Sequence, residues 1–353
     1  MADRSSETIK LVTRSWVTHE LATAVVEIIL KEWLGYDLQL VDGSSTSTSI
    51  WGSDMVSEHY DLDVEQWQAA GTNYQTYVTS SAVVHDLGAI GYEGRSGVFL
   101  AASTAGLASS KYLDFYLSYQ DSSLGLAAGL NKFGDTDLKA TLGDSYPMCD
   151  GEGDSDWCGT GSLQSYWVPT QCEGIESNPS KCIELIAHST GYDTGYFEQL
   201  TNNLGLSFVH AYYGNYVSSV VKERYLAGKP TIFYWWEPDP SVAGVDAARI
   251  SFPDNTESCA LDNGKNPEGD LKCDAPLSTL KKLAHSRMRS QAPAYYFLSN
   301  FEMSKETLNS IMLNHTSTDG PYATKEAACV FIKSNLATFQ EFAPDCIVRP
   351  PDE

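Results

Sequence analysis

The residues of this chain best suited to chemistry are tryptophans placed where strands end. Thr231-Ile-Phe-Tyr-Trp-Trp-Glu237 is a β-branched and aromatic run, and Pro238 and Pro240 stop it. Trp235 and Trp236 close that run. Trp16 stands just beyond Thr8-Ile-Lys-Leu-Val-Thr13, and Trp67 ends the alternating stretch Asp61-Leu-Asp-Val-Glu-Gln-Trp67. An indole face attracts a cation through its ring quadrupole, and tryptophan offers the best such face. Successive side chains alternate across a strand, so Trp235 and Trp236 are expected on opposite sides. A Trp-Trp pair taken alone is more often core than ligand wall. With Trp16 and Trp67 at other strand ends, Trp236 becomes the expected wall of a ligand crevice. Trp235 keeps the core reading.

Other candidate groups carry less. Asp61, Asp63 and Glu65 fall on one strand face, opposite Leu62 and Val64, and read as a solvated edge rather than a cation site. Asp150, Asp154 and Asp156 lack the spacing of a known calcium loop, so surface acidity is the expected reading. The chain has no GxSxG, HExxH, P-loop or GxGxxG stretch, and its 7 histidines are scattered. No catalytic residue, metal or cofactor is expected. The reading is of a binding protein, not an enzyme.

Composition bounds the setting. With 46 acidic against 23 basic residues the net charge is −23, which disfavours nucleic acid and anionic membranes as partners. No stretch is long and apolar enough to span a bilayer. The 8 cysteines fall as Cys149/Cys158, Cys172/Cys182, Cys259/Cys273 and Cys329/Cys346, each pair close in sequence and set in polar loops. No spacing suggests zinc, so local disulfides in an oxidising compartment are expected. Each would add about 2–3 kcal/mol. Nearest-neighbour pairing is one of many connectivities the count permits. Asn314-His-Thr316 is a glycosylation sequon. Together these features predict a secreted, extracellular or periplasmic protein whose leader is absent from this sequence.

The elements that must position the tryptophans follow from periodicity. Thr8–Thr13 reads as a strand, residues 20–33 as a helix ended at Gly35, and Tyr36–Val41 as a second strand. That βαβ order marks a parallel sheet. Ser96–Ala102 and Leu113–Tyr119 read as further strands. Cys182–Ala187 is another, running through His188-Ser-Thr-Gly-Tyr-Asp-Thr-Gly195 into a helix over 196–204. A strand, a Gly/Ser/Thr loop and a helix start bring unpaired amides together, a geometry that holds anions. The stretch from Leu277 to Phe342 reads as helices, with a capping-box-like Ser304-Lys-Glu-Thr307. A chain of 353 residues exceeds one compact core and predicts two lobes.

In this order the features resemble the glycine betaine/choline-type substrate-binding proteins of ABC transporters. Four stretches carry the resemblance, which covers about Thr8 to Phe342: Ile9-Lys-Leu-Val-Thr-Arg-Ser-Trp16 with Leu34-Gly-Tyr-Asp-Leu38; Asp61–Trp67; Lys229-Pro-Thr-Ile-Phe-Tyr-Trp-Trp-Glu-Pro238; and Phe297-Leu-Ser-Asn-Phe-Glu-Met-Ser304 leading to Asn309-Ser-Ile-Met312. The resemblance implies an α/β, two-lobe, periplasmic-binding-protein-like (type II) fold with a central ligand cleft. Lobe one would be residues 7–97 plus 240–353. Lobe two would be 98–239, with a cysteine-rich insertion at about 142–182.

It also implies an aromatic box for a quaternary ammonium. Trp16, Trp67 and Trp236 fall at box positions, while Trp235 stands where the family has a small residue. Tyr92 is a further candidate wall without a motif behind it. Backbone amides of the loop holding Gly191, Tyr192 and Asp193 would meet the ligand's other end. Asp193 there disfavours a carboxylate, and Asp239 and Pro240 replace a second aromatic. A basic partner for a carboxylate would come from Lys281, Lys282, His285 or Arg287. The implied partners are a small cationic or zwitterionic ligand and a membrane transporter. The alternatives are the ligand-sensing ectodomain of a eukaryotic receptor, which the cysteine-rich insertions motivate, and a carbohydrate-binding protein.

Overall fold

The computed structural model describes residues 4–43, 51–67, 71–101, 112–133, 166–175, 177–188, 195–240, 245–256, 259, 269–316, 323–337 and 339. The strands are β1 (Arg4–Thr13), β2 (Tyr36–Asp42), β3 (Leu62–Gln66), β4 (Val84–Ala101), β5 (Tyr166–Trp167), β6 (Ile183–Ala187), β7 (Phe208–Tyr212), β8 (Thr231–Glu237), β9 (Ala247–Arg249) and β10 (Ser278–His285). The α-helices are α1 (Val17–Ile28), α2 (Trp51–Val56), α3 (Gly71–Tyr74), α4 (Ser123–Ala127), α5 (Tyr196–Asn203), α6 (Val217–Leu226), α7 (Ala292–Asn300), α8 (Lys305–Thr316) and α9 (Ala323–Ser334).

The chain divides into two compact units. One comprises Met1–Gly94, Pro238–Pro240 and Leu277–Glu353; the other comprises Arg95–Glu237 and Ser241–Pro276. The sequence reading assigned 240–353 to the first lobe, but residues 241–276 pack with the second unit. Hydrogen bonds explain this. β9 pairs with β4 at Phe99↔Arg249, and Asn203 Nδ2 donates to the carbonyls of Gly269 (2.7 Å) and Leu271 (2.9 Å). Tyr196 Oη donates to the Asp274 carbonyl at 2.7 Å.

In the first unit the strand order is β2-β1-β3-β10-β4. β1 lies parallel to both β2 and β3, while β10 runs antiparallel to β3 and β4. Alternation along the strands splits the apolar residues into two clusters. Ile9, Leu11, Leu62 and Val64 join Leu21, Val25, Phe297, Ile311 and Phe331 from the helices. Val12 and Leu283 join Trp51, Met55 and Tyr60. Helix α1 packs on α8 and α9. Its last turn widens into a π-type turn over Ile29–Trp33, where the Leu34 amide donates to the Ile29 carbonyl at 3.1 Å. Gly35, at φ 73°, then ends it, as its position predicts.

The expected helical stretch from Leu277 opens instead with β10, which pairs antiparallel with β3 and β4. Beyond it, the Thr307 amide donates to Ser304 Oγ at 3.2 Å, so the predicted cap is made.

In the second unit β4 is followed by β8, β6, β7 and β5, with β9 also paired to β4. β8, β6 and β7 are parallel neighbours; β4 runs antiparallel to β8, and β5 antiparallel to β7. Residues expected as a strand at Leu113–Tyr119 form turns and a 3-10 helix over Tyr116–Tyr119. Tyr119 Oη donates to the Leu113 carbonyl at 2.6 Å and folds that segment on itself. Disulfides Cys172–Cys182 and Cys259–Cys273 form as nearest-neighbour pairing predicts. Cys149, Cys158 and Cys346 lie outside the described residues, as do Asp150, Asp154 and Asp156. No described helix is long and apolar enough to cross a membrane.

Gly91 in β4 sits at φ 109°, and a Cβ there would meet the Met303 carbonyl oxygen at 2.5 Å and its C and N at 2.9 Å. The Met303 amide donates to the Ile90 carbonyl at 2.7 Å, so this backbone contact cannot open cheaply. Gly91→Ala is therefore expected to destabilise the protein by about 2 kcal/mol or more in a urea titration. A change below about 0.5 kcal/mol would show that the close approach is not required.

Candidate ligand-binding site

The three carboxylates of the Asp61–Glu65 stretch are buried, contrary to the solvated edge expected of them. β3 is an inner strand, paired along its edges with β1 and β10, and all of Leu62–Gln66 is buried. Each carboxylate has a different set of partners. Asp61 Oδ2 accepts from the Lys10 amide at 2.8 Å, and Asp61 Oδ1 accepts from Arg287 Nε.

Asp63 lies 3.4 Å from Arg14 Nη2 and 3.2 Å from His19 Nε2, all three being buried. The Arg14 amide donates to His19 Nδ1 at 3.3 Å, which makes that nitrogen an acceptor and leaves the Nε2 proton for Asp63. Burial pushes the Asp63 carboxyl up, but the His19 hydrogen bond and the Arg14 charge outweigh it and hold the group below its ordinary value.

Glu65 gathers the candidate ligand wall. Its Oε1 accepts from Trp16 Nε1 at 2.7 Å, Trp67 Nε1 at 2.8 Å and Thr18 Oγ1 at 3.0 Å. Its Oε2 accepts from Tyr92 Oη. Three residues expected at the site, Trp16, Trp67 and Tyr92, thus converge on one carboxylate that the sequence reading did not single out. The Trp16 and Trp67 side chains remain partly exposed while their N–H edges turn inward; Tyr92 is buried. Gly94 explains how Trp67 reaches this place, because a Cβ there would meet Trp67 Cη2 at 2.4 Å. Burial is the largest influence on Glu65 and raises its carboxyl above the ordinary range, against the lowering effect of His19 and the donors from Tyr92, Trp16 and Trp67. The only signal for Glu65 in the sequence is its place two residues before Trp67, on the face of Asp61 and Asp63.

In the second unit Trp236 and Trp235 end β8. Their rings stack at 4.4 Å with an 8° interplanar angle, and each centroid lies 5.9 Å from that of His188. The opposite-side expectation is therefore corrected for the rings. Alternation sets where each Cβ points, not where an indole several bonds further out comes to rest. Both indoles are buried at 7% exposure, and Trp235 Nε1 has no hydrogen-bond partner among the described residues. Burial pulls the His188 imidazole down to about 4, so it is neutral near pH 7. Gly191, Tyr192 and Asp193 lie outside the described residues; Gly195, at φ 78°, leads into α5.

The basic residues proposed for a carboxylate are engaged inside the first unit. Lys281 Nζ pairs with Asp86 Oδ2 at 2.6 Å, and Lys282 Nζ donates to the Phe301 carbonyl. Arg287 pairs with Asp61 and Glu58, and His285 Nδ1 accepts from the Arg287 amide. No group of three or more metal-ligating side chains occurs among the described residues.

The fold is the α/β fold of periplasmic-binding-protein-like proteins. Comparison with known proteins narrows the class. Residues 184–334 match OpuAC, the substrate binding domain of ABC-type glycine betaine transport system. The chain shares its fold with lactococcal OpuAC in a closed-liganded conformation complexed with glycine betaine (13% identity, 96% of this chain and 99% of that one, TM-score 0.56). It also matches the glycine/betaine/L-proline-binding protein ProX from Borrelia burgdorferi (14%, 96% and 97%, TM-score 0.56). A third similar structure is an ABC-transporter choline binding protein in complex with choline (14%, 95% and 91%, TM-score 0.53). No curated sequence matches the chain. The family match covers residues 184–334 only, and the solved structures, at 13–14% identity, share the fold.

The Arg14–Asp63 pair supports the site from beneath. Replacing Arg14 with Leu leaves Asp63 buried without its guanidinium, and a loss of about 3 kcal/mol of stability is expected. Chemical denaturation of the variant checks this; a loss under about 1 kcal/mol would mean that His19 alone satisfies Asp63.

Proposed function

We propose that this protein captures a quaternary ammonium compound of the choline or glycine betaine type and delivers it to an ABC transporter, without catalysing a reaction. One observation supports the reading above the others. Trp16 and Trp67 hold partly exposed indoles with their N–H edges fixed on the same buried carboxylate, beside Tyr92. A trimethylammonium group has no N–H to donate, so a site recognises it by shape and cation–π attraction. Rings whose edges are anchored keep their faces available and lose little freedom on binding. In this reading Trp16, Trp67 and Tyr92 form the aromatic wall. Choline and glycine betaine both fit these requirements. The OpuAC match over 184–334 points to the same ligand class.

Isothermal titration calorimetry with choline and with glycine betaine tests the reading. Saturable binding of at least one is expected, and no heat with either ends the proposal. Trp16→Ala and Trp67→Ala should each weaken binding about tenfold, in line with about 0.5–2 kcal/mol per aromatic face. Circular dichroism should show the fold unchanged.

A further inference from the structure

Of the three carboxylates in the Asp61–Glu65 stretch, Glu65 alone is held by neutral groups. Asp61 has Arg287 and Asp63 has Arg14, whereas the donors to Glu65 are two indoles and two hydroxyls. Among the described residues no cationic side chain pairs with it. The groups that face it are known from each neighbouring element. Trp16 precedes α1, Thr18 and His19 lie on α1, Tyr92 is on β4, and Trp67 and Asp63 lie along its own segment. His19 is turned to Asp63 through its Nε2 proton, and Arg14 is spent on Asp63 as well. On β10, Lys281 is held by Asp86.

A buried carboxylate stabilised only by dipoles is short of one positive charge. Both partly exposed indoles are anchored directly to it, so a cation resting on their faces lies one ring away from the carboxylate. Screening is weak for a partly buried pair.

We propose that Glu65 supplies the negative charge by which this aromatic site selects a cation, so that binding is coupled to the loss of the carboxylate's proton. The proposal rests on the quaternary-ammonium reading above and adds the residue that sets its charge preference. Glu65 acts through electrostatics and by orienting Trp16, Trp67 and Tyr92. Burial favours its protonated form, and a bound cation favours the ionised one. The sign follows. Affinity for a cation is full where Glu65 is ionised and falls as pH drops through its raised value. Choline serves as the probe because it carries a fixed charge and no group that titrates in this range.

Tryptophan-fluorescence titrations of the whole protein with choline, from about pH 8 to about pH 5, give the test. The expected result is an affinity that falls about tenfold or more on acidification. Glu65→Gln should weaken choline binding at pH 8 by a similar factor and remove the pH dependence. Tyr92→Phe deletes one donor that favours the ionised carboxylate, so it should keep the pH dependence and move its midpoint to higher pH. The uncharged isostere 3,3-dimethylbutan-1-ol completes the set. Its binding should not weaken with falling pH, and its disadvantage relative to choline should shrink in Glu65→Gln.

Choline binding that is independent of pH in the wild type, or that keeps its pH dependence in Glu65→Gln, overturns the proposal. Neither outcome touches the quaternary-ammonium reading, which fails only if choline and glycine betaine do not bind at any pH. Should Glu65→Gln misfold, the direction of the Tyr92→Phe midpoint decides alone, and a midpoint that moves down or stays fixed overturns the proposal.

Discussion

A carboxylate buried on an inner strand without a cationic partner is the constraint on which the first unit's site depends. Such a group is tolerated only where every lone pair meets a donor, and four donors converge on Glu65 to meet it. Those donors come from three places in the chain: the turn into α1, the end of β3 and the middle of β4. Satisfying one carboxylate therefore fixes two indoles and a phenol relative to one another. The aromatic surface is a consequence of hydrogen bonding at its back. Ring orientation is set by an anchor that also contributes charge, so shape and electrostatics are not independent here.

The neighbouring carboxylates show why this arrangement needs the whole sheet. Asp63 is buried with Arg14 and His19, and Asp61 with Arg287 from beyond β10. Two of the three charges are compensated within the protein, which leaves the third as the local excess. The Arg14 guanidinium also reaches the Gly43 carbonyl at 3.2 Å and Tyr60 Oη at 3.4 Å. The β1–α1 turn that carries Trp16 is thereby tied to residues beyond β2 and before β3. Displacing any of these partners would move the rings as well as the charges.

The second unit holds its aromatics by different means. Trp235 and Trp236 stack on one another beside a neutral His188. Stacking of this kind adds about 0.5–1.5 kcal/mol beyond area burial. Covalent links support the surroundings. Cys182 precedes β6, whose other end carries His188, and Cys273 offers its carbonyl to Tyr196 at the start of α5. The disulfides therefore hold the segments that flank the loop of Gly191, Tyr192 and Asp193.

What could be read from the sequence was the part that depends on local pattern. The β1–α1–β2 unit, the strand ending in Trp235-Trp236, Gly35 at the helix end and the short-range disulfides all follow from period, turn chemistry or spacing. Trp16 and Trp67 were found by their position at strand ends, and they do come together with Tyr92. The role of Glu65 was not legible, because alternating acidic and apolar residues have the same pattern on an exposed edge and on an inner strand. The groups that enclose that face come from distant parts of the chain: Arg14 and His19 from before and within α1, Tyr92 from β4, and Arg287 from beyond β10, more than two hundred residues away in a stretch that reads as helix. Burial of the carboxylates is a property of the tertiary packing. A buried stretch that keeps three carboxylates bears a cost that an apolar face would avoid, and at Asp61 and Asp63 internal cations offset it. At Glu65 the offset comes from two indoles and two hydroxyls instead.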